Sequence, residues 1–178
     1  MAIIMKAIFS LRLIFLFVSF IVLSFSVNAQ DDMGKPKPID NETMKMLIGT
    51  WKSDTYDFMN EKWTETMVHT MKLNGQCMYI EISGVNDKLQ TKNSIIYITI
   101  DKDGTWKGWG CNEWGYTSTM TAKANGNQIN AITHSDVWGN ENREVEINGN
   151  TMVHTISWNI HKDGKDMPIK QVITYHKQ

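Results

Sequence analysis

The chain has 178 residues, with 19 acidic and 18 basic side chains and a formal net charge of −1. That balance excludes the basic footprint of a nucleic-acid-binding protein, and the length suits one domain with a real core once a targeting segment is set aside. Beyond residue 12 the sole arginine is Arg143, a poor toolkit for gripping phosphate or carboxylate in bidentate fashion.

Met1 to Arg12 carries Lys6 and Arg12 and no acid, and Leu13 to Phe25 is apolar apart from Ser19 and Ser24. Ser26-Val27-Asn28-Ala29 follows as a small-x-small cleavage pattern, so residues 1–29 read as a secretory signal peptide. The apolar run of 13 residues is short of the roughly 20 needed to span a bilayer. No cysteine follows it to carry a lipid, so no stable membrane anchor is expected after cleavage. Localisation is then periplasmic or extracellular. Loss of Lys6 and Arg12 takes the formal net charge from −1 to −3. Residues 30–40, with Gly34, Pro36 and Pro38, read as a flexible leader. Asp40 or Asn41 caps a short helix over 41–48, in which Met44, Leu47 and Ile48 recur at helical spacing and Gly49 makes the stop.

Ten strands follow, over 50–58, 62–72, 76–83, 94–101, 105–110, 115–123, 127–136, 142–147, 151–161 and 167–176. Asn-Gly or Asp-Gly stands at 74–75, 103–104, 125–126, 148–149 and 163–164, each between two strand-like runs. These pairs accept positive φ at both central positions of a type I′ turn, so each predicts a tight hairpin. Consecutive hairpins make an up-and-down meander: residues 41–178 are all-β, a single antiparallel barrel of about ten strands with a short N-terminal helix. The first four tight turns fall at one end, which becomes a floor plugged by the helix. The longer segments Phe58 to Glu61, Gly84 to Asn93, Gly110 to Trp114 and Val137 to Glu141 fall at the other end, the mouth. Cys77 then begins a strand at the floor and Cys111 ends one at the mouth, roughly 20 Å apart against the 7 Å a disulfide tolerates. Two free thiols are predicted.

Gly49-Thr50-Trp51 resembles the Gly-x-Trp signature of the calycins, the lipocalins and fatty-acid-binding proteins. The stretch from Met71 (Met-Lys-Leu-Asn-Gly-Gln-Cys-Met-Tyr-Ile-Glu-Ile-Ser-Gly) to Gly84 and the ending from Asp163-Gly164 through Gln-Val-Ile-Thr-Tyr175-His-Lys177 are similar to an exported bacterial lipocalin-like family of unknown function. The resemblance covers about residues 47–177. It implies a closed barrel, a structural floor at Gly49 and Trp51, and a late basic side chain, Lys170 or Lys177, stacked on that Trp. It assigns no activity. Fatty-acid-binding proteins hold their ligand's carboxylate with Arg-x-Tyr on the last strand; here the triplet is Ile173-Thr174-Tyr175, so only Tyr175 remains. The glycine-rich opening of the more distantly related haem-binding barrels of the nitrobindin type is also absent, since the chain reads Trp51-Lys-Ser-Asp-Thr-Tyr56.

If Trp51 points inward, alternation turns Ser53 and Thr55 inward, then Trp63, Glu65, Met67 and His69, then His154, Ile156 and Trp158, then Ile169, Gln171, Ile173 and Tyr175. The candidate pocket is therefore apolar-walled, with Glu65, His69, His154, Trp158, Gln171 and Tyr175 as its anchors. The same groups equally suit a barrel in which polar side chains satisfy one another. Trp109, Trp114 and Trp138 are placed at the mouth, where aromatic faces stack on flat ligands or simply fold over the rim. Asp101 to Thr105 is a hairpin turn, because a calcium loop needs Gly and an acid where Trp106 and Asn112 stand. No nucleophile is tied to a base, so the reading leans away from an enzyme, and no cofactor motif is present.

Three functions stay open. The first is an exported carrier of a small apolar or aromatic molecule. The second is a barrel filled by its own Met and Trp side chains, serving structure or protein interaction in the cell envelope. The third is haem or metal binding through His69 or His154. A cavity of a few hundred Å³ separates the first from the second.

Overall fold

The computed structural model describes residues 37–162 and 165–178. The signal-like segment 1–29, most of the leader and the fifth turn, Asp163-Gly164, lie outside the described residues. Asn41 caps helix α1 (Glu42–Leu47), its side chain accepting from the Met44 amide at 3.0 Å. Eleven strands follow: β1 (Gly49–Ser53), β2 (Tyr56–Phe58), β3 (Glu61–Lys72), β4 (Cys77–Asn86), β5 (Thr91–Ile100), β6 (Trp106–Asn112), β7 (Thr117–Asn125), β8 (Gln128–Ser135), β9 (Gly139–Asn148), β10 (Thr151–Lys162) and β11 (Lys165–Lys177). From β2 to β11 each strand pairs antiparallel with the next, and β1 pairs with both β11 and β3. The sheet is thus closed: an all-β, ten-stranded antiparallel barrel with one extra short strand.

The extra strand arises from a bulge in the expected first strand. Lys52 lies opposite Thr66 and Tyr56 opposite Trp63, so residues 53–55 face only 64–65. One surplus residue reverses the alternation beyond it. Ser53 points in as expected, but Thr55, expected inside, is exposed, and Tyr56 is buried in its place.

The floor is built as the sequence implies. Helix α1 seals the hairpin end: Thr43 Oγ1 donates to the Gly126 carbonyl at 2.6 Å, and the Ile39 amide donates to the Gly75 carbonyl at 2.8 Å. Trp51 is fully buried beneath the helix, its indole N–H donating to the Leu47 carbonyl at 2.7 Å. Lys177 is the stacked cation, with Nζ 5.2 Å from the Trp51 ring centroid and 3.1 Å from the Met46 carbonyl it donates to. Burying a side chain of this size contributes on the order of 2–3 kcal/mol.

The turns differ from expectation in detail. At the floor, Asn125 pairs with Gln128 and Asn148 with Thr151, so the central pairs are Gly126-Asn127 and Gly149-Asn150. Glycine holds the first position with φ 60° in each, and its Asn partner belongs to the strand. Gly104 (φ 78°) closes a longer turn, with its amide donating to the Asp101 carbonyl at 2.9 Å. Positive φ at two successive non-glycine residues occurs instead at Met59-Asn60 (52° and 65°) and Leu73-Asn74 (51° and 55°). The mouth is also not distinguished by long loops. The ten-residue segment expected over 84–93 shrinks to residues 87–90, because β4 and β5 both run on to the corner at Asn86. Asn86 accepts there from the Lys88 and Gln90 amides at 3.1 and 2.8 Å. What makes one end a floor is the helix that covers it. Cys77 and Cys111 are both free.

Candidate functional site

Inside the barrel is a cavity of about 420 Å³. The interior is therefore hollow rather than filled. Its walls are largely apolar, with Met67, Met78, Ile80, Ile98, Trp106 and Ile173 among them, and it reaches Leu47 of the plugging helix at one end and Trp114 and Trp138 at the other. Gly108 and Gly110 of β6 fall on the inward parity, between Trp106 and the rim, where neighbouring strands crowd them: a Cβ at Gly108 would meet Met120 Cε at 3.1 Å. A Cβ at Gly110 would come within 2.9 Å of the Ile95 carbonyl oxygen.

All six anchor residues named from alternation line this cavity: Glu65, His69, His154, Trp158, Gln171 and Tyr175. Two of them are joined to each other. The Tyr175 hydroxyl donates to Glu65 Oε2 at 2.6 Å, and the Tyr56 hydroxyl donates to Oε1 at 2.5 Å. Lys92 closes the group by ion-pairing with the same carboxylate and donating to the Tyr56 hydroxyl at 2.7 Å. Burial pushes the Glu65 carboxyl up, but the Lys92 charge and the hydrogen bonds from Lys92, Tyr175 and Tyr56 outweigh it, so the net displacement is downward. Burial and the Glu65 charge push both tyrosines up, so they remain donors. The Lys92 ammonium also lies 4.7 Å from the Trp63 ring centroid.

Lys92 reaches Glu65 across an intervening strand, and glycine makes the passage. Gly84 is the cross-strand partner of Glu65 on β3 and of Lys92 on β5. A Cβ there would meet Lys92 Cε at 2.7 Å, Lys92 Cγ at 2.9 Å and Glu65 Cγ at 3.3 Å. The lysine stem occupies the space of the missing side chain. Gly49 does the same for Lys177, whose Cε would lie 3.0 Å from a Cβ.

A second ion pair lies nearer the mouth. Arg143 donates to Glu141 Oε2 from Nε at 3.0 Å and from Nη2 at 2.5 Å, with the Glu141 carboxylate buried. The two histidines are unlike Glu65. Burial, and then the Lys177 charge, bring His69 down to about 4. Burial, and then Arg143, bring His154 down to about 3. Both rings are neutral at pH 7. His69 Nδ1 and His154 Nε2 are enclosed and have no hydrogen-bond partner among the described residues, as do Thr133 Oγ1 and Trp158 Nε1. His154 as a whole is only partly buried because it faces the open cavity. Glu65 is committed to its own partners and does not join the histidines. Among the described residues, no cluster of three or more His, Cys, Asp or Glu is placed to hold a metal ion.

The three mouth tryptophans do not form one group. Trp138 stands edge-on to Trp158 with centroids 6.5 Å apart, and Trp158 meets Phe58 at 6.4 Å. Trp114 pairs with Tyr116 at 6.5 Å and is 60% exposed. Trp109 shares the outward parity of Lys107 and is 46% exposed. Sequence reasoning missed Tyr56, hidden by the bulge, and Lys92, hidden inside an expected loop. Glu141 and Arg143 had a usable signal, since residues 141, 143, 145 and 147 alternate inward along β9.

No family model and no curated protein matches the sequence. Among solved structures, the chain is similar to the crystal structure of Rv2717c from M. tuberculosis, with a TM-score of 0.58 at 10% identity. The match covers 78% of this chain and 98% of that one. At that identity the likeness is one of fold, and the fold is a closed barrel.

Proposed function

We propose that this protein binds and carries a small, mostly apolar molecule within its barrel. The observation that carries the reading is the cavity of about 420 Å³, open at one end, sealed at the other by α1 and walled mainly by aliphatic and aromatic side chains. That volume falls in the range of small-molecule sites. A core serving stability alone would be packed to near-crystalline density. Residues 1–29, read as an export signal, would place the carrier in the envelope or outside the cell.

A second reading, haem ligation through His154, draws support from the neutral ring, its unpartnered Nε2 and its place on the cavity wall. Against it, both cations lining the cavity, Lys92 and Arg143, are already paired with carboxylates and leave nothing for the haem propionates. Native mass spectrometry of the protein from its own host tests both. A retained organic molecule of a few hundred daltons is the expected result. A retained haem, with a Soret band lost in His154→Ala, would replace the first reading by the second. A bare protein mass, with no apolar probe entering the purified protein, would overturn both.

A further inference from the structure

We infer that Arg143 and Gln171 together determine what the cavity accepts: an uncharged molecule with an oxygen acceptor lying over Ile156, partway between the floor and the mouth. This rests on the carrier reading and specifies its ligand class.

The strand register puts the two side chains in one row. Ile156 on β10 stands opposite Arg143 on β9 and opposite Gln171 on β11, and all three line the cavity. The Cα atoms of Arg143 and Gln171 are thus two strand spacings apart, about 10 Å, which one small flat molecule resting on Ile156 can span. His154 lies two residues deeper on β10, and Trp158 two residues nearer the mouth.

Of the polar groups at mid-depth, these two are within an occupant's reach and have hydrogen bonds left to make. Trp63 Nε1, His69 Nδ1, Thr133 Oγ1, His154 Nε2 and Trp158 Nε1 are enclosed, so an occupant does not touch them. The Glu65 carboxylate takes Tyr56, Tyr175 and Lys92. The Lys92 ammonium is engaged by that carboxylate, by the Tyr56 hydroxyl and by the Trp63 ring. Ser94 and Ser118 lie nearer the rim, on β5 and β7. Arg143 is different. Its side chain is 28% exposed and points inward, so that surface belongs to the cavity. A guanidinium carries five N–H donors and no acceptor. Glu141 Oε2 takes one from Nε and one from Nη2, and among the described residues the others have no partner. Gln171 is half-buried, and its carboxamide enters no hydrogen bond among the described residues. An amide both donates and accepts, so it serves a carbonyl or a hydroxyl alike.

The same row rejects charge. An anion on the free edge of Arg143 would stand beside the buried Glu141 carboxylate, and a cation would face the guanidinium. Like charges at that range repel strongly away from water. An apolar body with no oxygen would strip water from the donors of Arg143 and Gln171 and give no acceptor in exchange. A neutral molecule with an oxygen over Ile156 avoids both penalties.

Prodan, a neutral naphthalene ketone whose emission moves to the blue when its carbonyl loses a hydrogen bond, is the probe. 2-Dimethylaminonaphthalene, which lacks the carbonyl, is the control. Gln171→Met keeps the length of the side chain and loses the amide. Glu141→Leu combined with Arg143→Met removes the ion pair as a unit, so no buried charge is stranded. The wild-type protein is expected to bind prodan more tightly than the control. Each variant is expected to weaken prodan three- to tenfold and to shift its bound emission to the blue, with control binding unchanged. Unchanged control binding also shows that the variant barrel is intact, and Gln171→Met keeps the test decisive if the combined variant does not fold. If the wild-type protein does not prefer prodan, or the variants keep its preference, water satisfies the row, the carrier reading stands and this inference falls. An effect in only one of two folded variants overturns the assignment to both residues. Preference for anionic 2-naphthalenesulfonate over prodan overturns the uncharged ligand class. If no probe enters at all, the carrier reading falls and takes this one with it.

Discussion

Two lysines in this barrel travel over glycines. Lys92 crosses Gly84 to reach Glu65, and Lys177 crosses Gly49 to cover Trp51. In each case a missing side chain makes the floor of a channel for a methylene stem, and the ammonium ends on a buried group. Gly84→Ala should therefore displace Lys92 and lower stability by about 1–3 kcal/mol. In a Lys92→Ala background the same change should be nearly silent. A double-mutant cycle by urea unfolding measures the coupling, and additive effects would refute the crossing as its origin.

At the scale of elements, the first strand shows how one surplus residue redirects a site. The bulge at 53–55 turns Tyr56 inward, where its hydroxyl meets Glu65. The β2–β3 hairpin that follows is closed by Met59-Asn60 with both φ values positive, a conformation that costs a non-glycine residue about 1–2 kcal/mol. Met59 is 56% exposed and contributes little packing in return. Replacing the pair with the favoured residues, Met59→Asn with Asn60→Gly, should raise stability by about 1 kcal/mol. Thermal unfolding checks it, and an unchanged or lower midpoint would show that the strain is relieved elsewhere.

For the molecule as a whole, the neutral histidines set the acid limit. The fold holds His69 and His154 at about 4 and about 3, whereas in the unfolded chain they titrate near 6.5. Above pH 6.5 both states are neutral and the two rings contribute no pH dependence. Below it the unfolded chain takes up protons that the fold refuses, so stability falls until the folded values are reached. The loss is roughly 2 kcal/mol per ring by pH 5. Glu65, displaced downward, loses stability in the same direction but in a lower window, as pH falls through the carboxylate range. Lys177 bears on His69, and Arg143, Glu65 and His69 itself bear on His154. The urea midpoint should therefore drop between pH 7 and pH 5, and His154→Gln should remove about half of that slope. An identical slope in the variant would place the acid sensitivity elsewhere.

Closure was implied only by the calycin resemblance and is decided by the pairing of β1 with β11, whereas alternation and turn residues alone determined the class of fold, the count of about ten strands and the end at which the helix sits. Each of these depends on period-2 patterning and on local φ preferences, which are properties of short stretches of chain. The inward positions of Glu65, His69, His154 and Tyr175 were legible for the same reason. Tyr56 and Lys92 were not. Tyr56 faces the cavity because of a register shift that appears only when two strands are paired. Lys92 matters because three strands lie side by side with a glycine in the middle one. Whether the interior was hollow also escaped the sequence. Cavity volume depends on how inward side chains from all the strands meet, which no single stretch of chain fixes.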